Sequence, residues 1–141
     1  MDAPLDGEEF ERWRRQADSA ADTAGLARAG GRAEWACFLS EQAAQLGVKA
    51  LLHGTGLEAW GHDLTVLCAR AEAQLGRAWP GELGDPAARL ARHYIATRYP
   101  DALPSGAPTT HYTDADAAQA EDDARALLGA VDEAWQVLGA A

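Results

Sequence analysis

The chain has little of what usually gives a short sequence away. Two cysteines, Cys37 and Cys68, make no disulfide framework. Each lies in an apolar, helix-favouring context, which suits reduced, buried thiols in a cytosolic protein. β-Branched residues are few and alanine is abundant, so helix is favoured throughout. No uncharged apolar run approaches the roughly 18 residues a membrane span needs. The acidic residues at 1–6 carry no apolar segment of a secretory signal, so a cytoplasmic location is expected.

Lysine is nearly absent. Of twelve basic residues, eleven are Arg and one is Lys49; against 22 acids they leave a formal charge of −10. Such a surface repels phosphate backbones unless positive charge is focused locally. Broad, sequence-independent nucleic-acid binding is excluded on that ground. A small Arg-lined pocket or a basic partner stays open.

Several chemical motifs are missing too. A di-metal carboxylate bundle needs Glu-x-x-His on facing helices, and the chain has none. His53, His62, His93 and His111 are scattered, with no short-spaced pair. There is no Gly-x-Ser-x-Gly, no Gly-rich phosphate loop and no cysteine beside a plausible base. No metal or cofactor is therefore expected.

What is present is helical pattern. Asp6 with Glu9 makes an N-cap signal, and Phe10, Trp13, Ala17, Ala20 and Ala24 follow at spacings of three and four. Gly30 and Gly31 end that helix. A second is predicted over residues 32–53, with Trp35, Phe38, Leu39, Ala43, Leu46 and Ala50 inward and Gly54 and Gly56 at its close. A shorter helix is predicted over 62–75, with Asp63 in its first turn. A fourth starts at Asp85 as N-cap with Pro86 at the first helical position, and ends before Pro100. Residues 100–112 read as an ordered loop. Thr113 and Asp116 open the last helix, with an inner stripe of Ala120, Ala124, Leu127, Val131, Ala134, Trp135 and Leu138. Its acids Glu121, Asp122, Asp123, Asp132 and Glu133 are read as an outer face, either solvated or a docking surface for a basic partner. The pattern predicts one all-α domain over 1–141, an antiparallel up-down four-helix bundle with one short additional helix.

The chemistry gathers at residues 91–101, Ala-Arg-His-Tyr-Ile-Ala-Thr-Arg-Tyr-Pro-Asp. At 100° per residue, Leu90, Ala91, Tyr94 and Ile95 define an apolar arc, with Arg89, Arg92, Ala96 and Tyr99 roughly opposite. Arg98 falls inside the arc. A buried, unpaired guanidinium is very costly, so two readings stand. Either Arg98 turns out and caps the last carbonyls, or it is held in a cleft for an anion. His62 is either an ordinary helix entry or a ligand contact at the bundle's edge.

The order of these pieces resembles the HEPN domain family, in its small stand-alone prokaryotic type. The resemblance rests on Trp35-Ala36-Cys37-Phe38, Glu41-Gln42-Ala43-Ala44, Val48-Lys49-Ala50-Leu51 and Gly61-His62-Asp63-Leu64. It continues through Tyr94-Ile95-Ala96-Thr97-Arg98-Tyr99-Pro100-Asp101 and His111-Tyr112-Thr113, and covers nearly the whole chain. It implies a bundle that dimerises through its helices. It also implies a partner, a minimal nucleotidyltransferase in a toxin–antitoxin-like pair. Some family members are metal-independent RNases carrying Arg, four to six residues, then His, with a Tyr two further on. Here Arg92 and Tyr99 match, and Thr97 stands in the histidine's place. Threonine takes no proton near neutral pH.

The expectation is thus a non-catalytic binding module for a nucleotide or the partner nucleotidyltransferase. Arg92, Arg98 and Tyr99 are its phosphate and base contacts, with Lys49 and His62 in the same cleft. Tyr99 is also a candidate target for nucleotide transfer by the partner. One alternative is an RNase toxin using His93 or His111 as base and Arg98 as phosphate clamp. The discriminating feature is the geometry across the dimer, where either histidine within hydrogen-bond reach of a site shared with Arg92 or Arg98 favours it. The other is a structural scaffold.

Overall fold

The computed structural model describes residues 4–140, and among them there is no strand. Helix α1 spans Gly7–Ala29. Its cap is the predicted one: Asp6 Oδ1 accepts from the backbone N–H of Glu9 at 3.1 Å, with Glu8 and Glu9 in the positive first turn. Helix α2 spans Ala33–Gly54, within a residue of expectation. The N–H of Asp6 donates to the Gly54 carbonyl at 2.8 Å, so the start of α1 meets the end of α2 and the pair is antiparallel.

Helix α3 spans Leu64–Leu75. It begins two residues later than predicted, because Asp63 is its N-cap and does not lie in its first turn. Asp63 Oδ1 accepts from the Thr65 and Val66 N–H groups, which leaves His62 outside the helix. Gly76, at φ 65°, closes α3 in the left-handed conformation that glycine adopts without strain.

The predicted fourth helix is corrected most. A 3-10 turn over Gly81–Leu83 leads directly into α4, Gly84–Ala91. Leu83 is therefore the N-cap, and Asp85 and Pro86 are the second and third helical residues. Proline fits there because the first N–H groups of a helix have no intrahelical acceptor. The run then loosens at Arg92 (φ −66°, ψ −19°) and resumes as α5, His93–Ala96. One long helix is thus two short ones. The predicted loop holds a 3-10 turn, Pro100–Ala102, and a short helix α6, Pro108–His111.

Helix α7 spans Asp114–Ala140 behind the capping box read from the sequence. The Thr113 N–H donates to Asp116 Oδ2 at 2.9 Å, and the Asp116 N–H donates to Thr113 Oγ1 at 3.2 Å. Arg14 pairs with Asp132 and Arg28 with Asp114, so α7 runs antiparallel to α1.

The core forms around α2, which packs against both α1 and α7. Its small residues, Ala36, Ala43, Ala44, Gly47, Ala50 and Gly54, are buried and let its neighbours come close. At one end Phe10 stacks on Trp135 at 4.2 Å between centroids, with Gly54 beneath the pair. Leu51, Leu52, Leu64, Leu67, Leu90 and Leu127 fill the centre. No helix among the described residues is long and apolar enough to cross a membrane.

The acidic stripe of α7 is not a uniform outer face. Asp123 is buried, and Arg89 of α4 holds it with two 2.9 Å bonds. Glu121 takes a bond from Arg28, and Asp132 takes two from Arg14. Asp122 pairs within its own helix, with Arg125.

Candidate functional site

The site is built on a polar ladder inside an apolar helix. Glu41, Gln45 and Lys49 recur every four residues along α2, so they share one face, and all three are buried. The Glu41 carboxyl is fully buried and has no ion-pair partner among the described residues. Oε1 accepts from Gln42 Nε2 at 2.9 Å and Oε2 from Gln45 Nε2 at 2.5 Å. Burial pushes its pKa up to about 7, although those amides and the charges of Arg98 and Lys49 pull the other way. Lys49 is lowered by its own burial, against the attraction of Glu41. Lys49 lies on the same face of α2 as Glu41 and Gln45, and is largely buried.

Gln45 carries the ladder outward. Its Nε2 also donates to the His62 carbonyl at 2.9 Å, and the exposed His62 ring stacks on Tyr94 of α5 at 5.2 Å. Tyr94 leans on Phe38 of α2, and Phe38 meets Trp35 edge-on at 6.2 Å. The apolar period puts Trp35 and Phe38 on the inner face of α2. Trp35 is instead 46% exposed and Phe38 half-buried, so both belong to a surface row that links α2, the entry to α3, and α5.

Arg98 lies on that row. Its Nε and Nη2 both donate back to the Tyr94 carbonyl, at 2.9 and 2.6 Å, which is the first of the two readings: it caps its own helix end. The guanidinium carbon also sits 4.3 Å from the Phe38 ring centroid, 4.8 Å from that of Tyr94 and 5.1 Å from that of Tyr99. The charge is solved by one carbonyl and three aromatic faces, with no carboxylate in direct contact among the described residues. Ile95 and Tyr99, each nearly half exposed, complete the rim with Trp35.

The remaining predicted residues fall elsewhere. Arg92 is exposed, and its side chain makes no hydrogen bond or ion pair among the described residues. Thr97 is buried, and its hydroxyl donates to the His93 carbonyl at 2.5 Å. His93 turns from the row toward Tyr112, whose ring it meets edge-on at 5.6 Å. Its Nδ1 is buried without a partner, and burial lowers its pKa. His111 is exposed, with Nε2 2.6 Å from the Ser105 carbonyl. Within one protomer, His93 and His111 make no hydrogen bond or ring contact with the Arg92 or Arg98 side chain among the described residues. Among the described residues no three His, Cys, Asp or Glu gather to hold a metal.

The residues that sequence reasoning leaves out of the site are Trp35, Phe38, Glu41 and Gln45. The signal for the ladder is three long polar side chains at four-residue spacing along one face of a largely apolar helix.

The comparisons agree with this architecture. No curated protein matches the chain significantly. Solved structures similar to the chain over most of their length include the following three. TT1696 from Thermus thermophilus is 36% identical, with a TM-score of 0.84 over 89% of this chain and 97% of that one. ST0689, an archaeal HEPN homologue, is 35% identical, with a TM-score of 0.74 over 88% and 95%. An HEPN domain protein from Thermotoga maritima, tm0613, is 29% identical, with a TM-score of 0.69 over 86% and 95%. The family model of the HEPN domain matches residues 10–136, which takes in the α2 ladder, the α5 row and most of α7. On the fold, the solved relatives and that match together, the chain belongs to the HEPN domain family.

Proposed function

We propose that this chain is a non-catalytic HEPN binding module: a homodimer that also holds a partner protein of the minimal nucleotidyltransferase type. The α2–α5 face is its docking surface. One observation carries the reading: Trp35, Ile95 and Tyr99 are exposed around an arginine already stacked on Phe38. Trp, Tyr and Arg are the residues that dominate protein interfaces. Two of the guanidinium's nitrogens are already bonded, so little is lost in ordering it when a partner covers it. The net charge of −10 favours a protein partner over an RNA backbone. Thr97, turned inward in the place of a base, supports the non-catalytic half.

The test is light scattering of the purified chain, then calorimetry against a purified minimal nucleotidyltransferase. Dimer and complex are expected, and Ile95→Glu should weaken at least one of them without lowering the melting temperature. A monomer that gives no heat with that partner would end the proposal. Incubation with total RNA should leave the RNA intact. Cleavage that Arg98→Ala abolishes would revive the nuclease alternative.

A second reading, a nucleotide on the same face, has one observation in its favour. Arg92 is exposed and unpaired among the described residues, on the same segment as the Tyr99 ring. Calorimetry with ATP, for the native chain and for Tyr99→Ala, separates it from the first: heat that the substitution removes would favour the nucleotide.

A further inference from the structure

A different face carries a second site. Helices α1 and α7 are pinned together at two levels. Arg14 grips Asp132 with bonds of 2.8 and 3.0 Å, and Arg28 grips Asp114 at 2.9 and 3.0 Å and Glu121 at 3.1 Å. Between those clamps the facing residues are small: Ala21 and Gly25 on α1, Ala124 and Gly129 on α7. Side chains that small cannot fill the space between the two helices. The result is a groove of about 580 Å³. From Arg14 to Gly25 it follows α1 for roughly 17 Å, at about 1.5 Å per residue.

Its floor holds a polar group that nothing in the fold satisfies. Ser40 of α2 lines the groove, is 1% exposed, and its hydroxyl has no hydrogen-bond partner among the described residues. A buried hydroxyl without a partner is uncommon, because burial strips its water. The rim has acceptors in excess. Asp18, Asp22, Glu121 and Asp132 face Arg14 and Arg125, four negative charges against two positive. Arg14 is committed to Asp132 and Asp18, and Arg125 to Asp122 outside the groove. The Asp22 carboxylate makes no hydrogen bond or ion pair among the described residues.

We propose that this groove binds a linear aliphatic polyamine. A trench narrow enough to lie between two helices suits a single extended chain. Ala21, Ala124 and Leu128 offer methyl surface for its methylenes. Its ammonium groups donate to Asp22, to the free lone pairs of Asp18 and Glu121, and to the Ser40 hydroxyl acting as acceptor. A bare metal ion does not fit, since no three carboxylates converge among the described residues. The site is independent of the α2–α5 face, and neither proposal rests on the other.

The test is calorimetry of the full chain with spermidine at about 0.15 M salt, where diffuse surface attraction is screened beyond roughly 8 Å. One spermidine per chain is expected. Asp22→Asn should weaken binding about tenfold, the worth of one charge-assisted bond. Glu82→Gln makes the same change in net charge outside the groove and should leave affinity unchanged. Gly129→Leu should abolish binding. A Cβ at Gly129 meets no atom within 4 Å, so the leucine extends into the trench and the melting temperature should not fall. Absence of heat with the native chain overturns the proposal. So does equal weakening by Asp22→Asn and Glu82→Gln, or native affinity in Gly129→Leu.

Discussion

Replacing Glu41 by glutamine should make the protein more stable at pH 8 and less stable near pH 4.5. The carboxyl is fully buried with two amide donors and no ion pair among the described residues, and burial raises its pKa from about 4.5 to about 7. The folded state then binds the Glu41 proton more tightly than the unfolded chain does. Stability from this group is complete below about pH 4.5 and is lost as pH rises to about 7. The loss is about 3 kcal/mol, at about 1.4 kcal/mol per pH unit over that window. Glutamine cannot ionise, so it escapes the loss. It retains one acceptor where Glu41 uses two, because Gln42 and Gln45 bond to different oxygens. That costs about 1 kcal/mol at every pH. The expected balance is a gain of about 2 kcal/mol at pH 8 and a deficit of about 1 kcal/mol at pH 4.5. Urea unfolding of both proteins at pH 4.5, 6, 7 and 8 measures it, provided the slopes agree. Two parallel stability curves, or a glutamine variant less stable at pH 8, would refute the reasoning and place the Glu41 charge in contact with solvent or with Arg98.

Three further outcomes follow from packing. Cys37 and Cys68 are buried, and burial pushes both thiols up to about 12, so a thiol reagent at pH 8 should modify neither in the native protein and both in urea. Gly54→Ala should cost about 1–2 kcal/mol despite alanine's better helix propensity. Its Cβ would fall 2.7 Å from Trp135 and 3.0 Å from Phe10, so the near-ultraviolet circular dichroism of Trp135 should change with it. Arg89→Ala should lower the melting temperature more than Arg125→Ala, since Asp123 is buried and would be left with only Gln119, whereas Asp122 is exposed.

Much of this fold can be read from local pattern, and its misreadings have one cause. Asp6 and the Thr113–Asp116 box announce helices through bonds to residues within one turn, so sequence alone suffices. Asp123 announces nothing, because its partner Arg89 is 34 residues away and a carboxylate on a long helix looks the same solvated or buried. Glu121 and Asp132 mislead for the same reason. Trp35 and Phe38 fit the apolar period of α2, but period gives direction around a helix and not what lies in that direction. What lies there is α5, whose break at Arg92 no residue type marks. The candidate site is half legible. Arg98, Tyr99 and His62 stand out as unusual groups in unusual places, while Glu41 and Gln45 read as ordinary polar members of an apolar helix.

The Arg92–Tyr99 segment has two faces with different surroundings. Thr97 and His93 share a hydrogen bond on the inner side, and His93 packs on Tyr112. Tyr94, Arg98 and Tyr99 lie on the outer side with Phe38 and His62. Positions 97 and 98 are one residue apart, and one residue is 100° of helix turn. That rotation puts Thr97 in the packed interior and the half-buried Arg98 on the aromatic row. The outer set is stacked and ordered by its own contacts, with the Arg98 guanidinium over three rings. Arg98 also faces inward electrically, because its charge is one of the two that draw Glu41 toward ionisation.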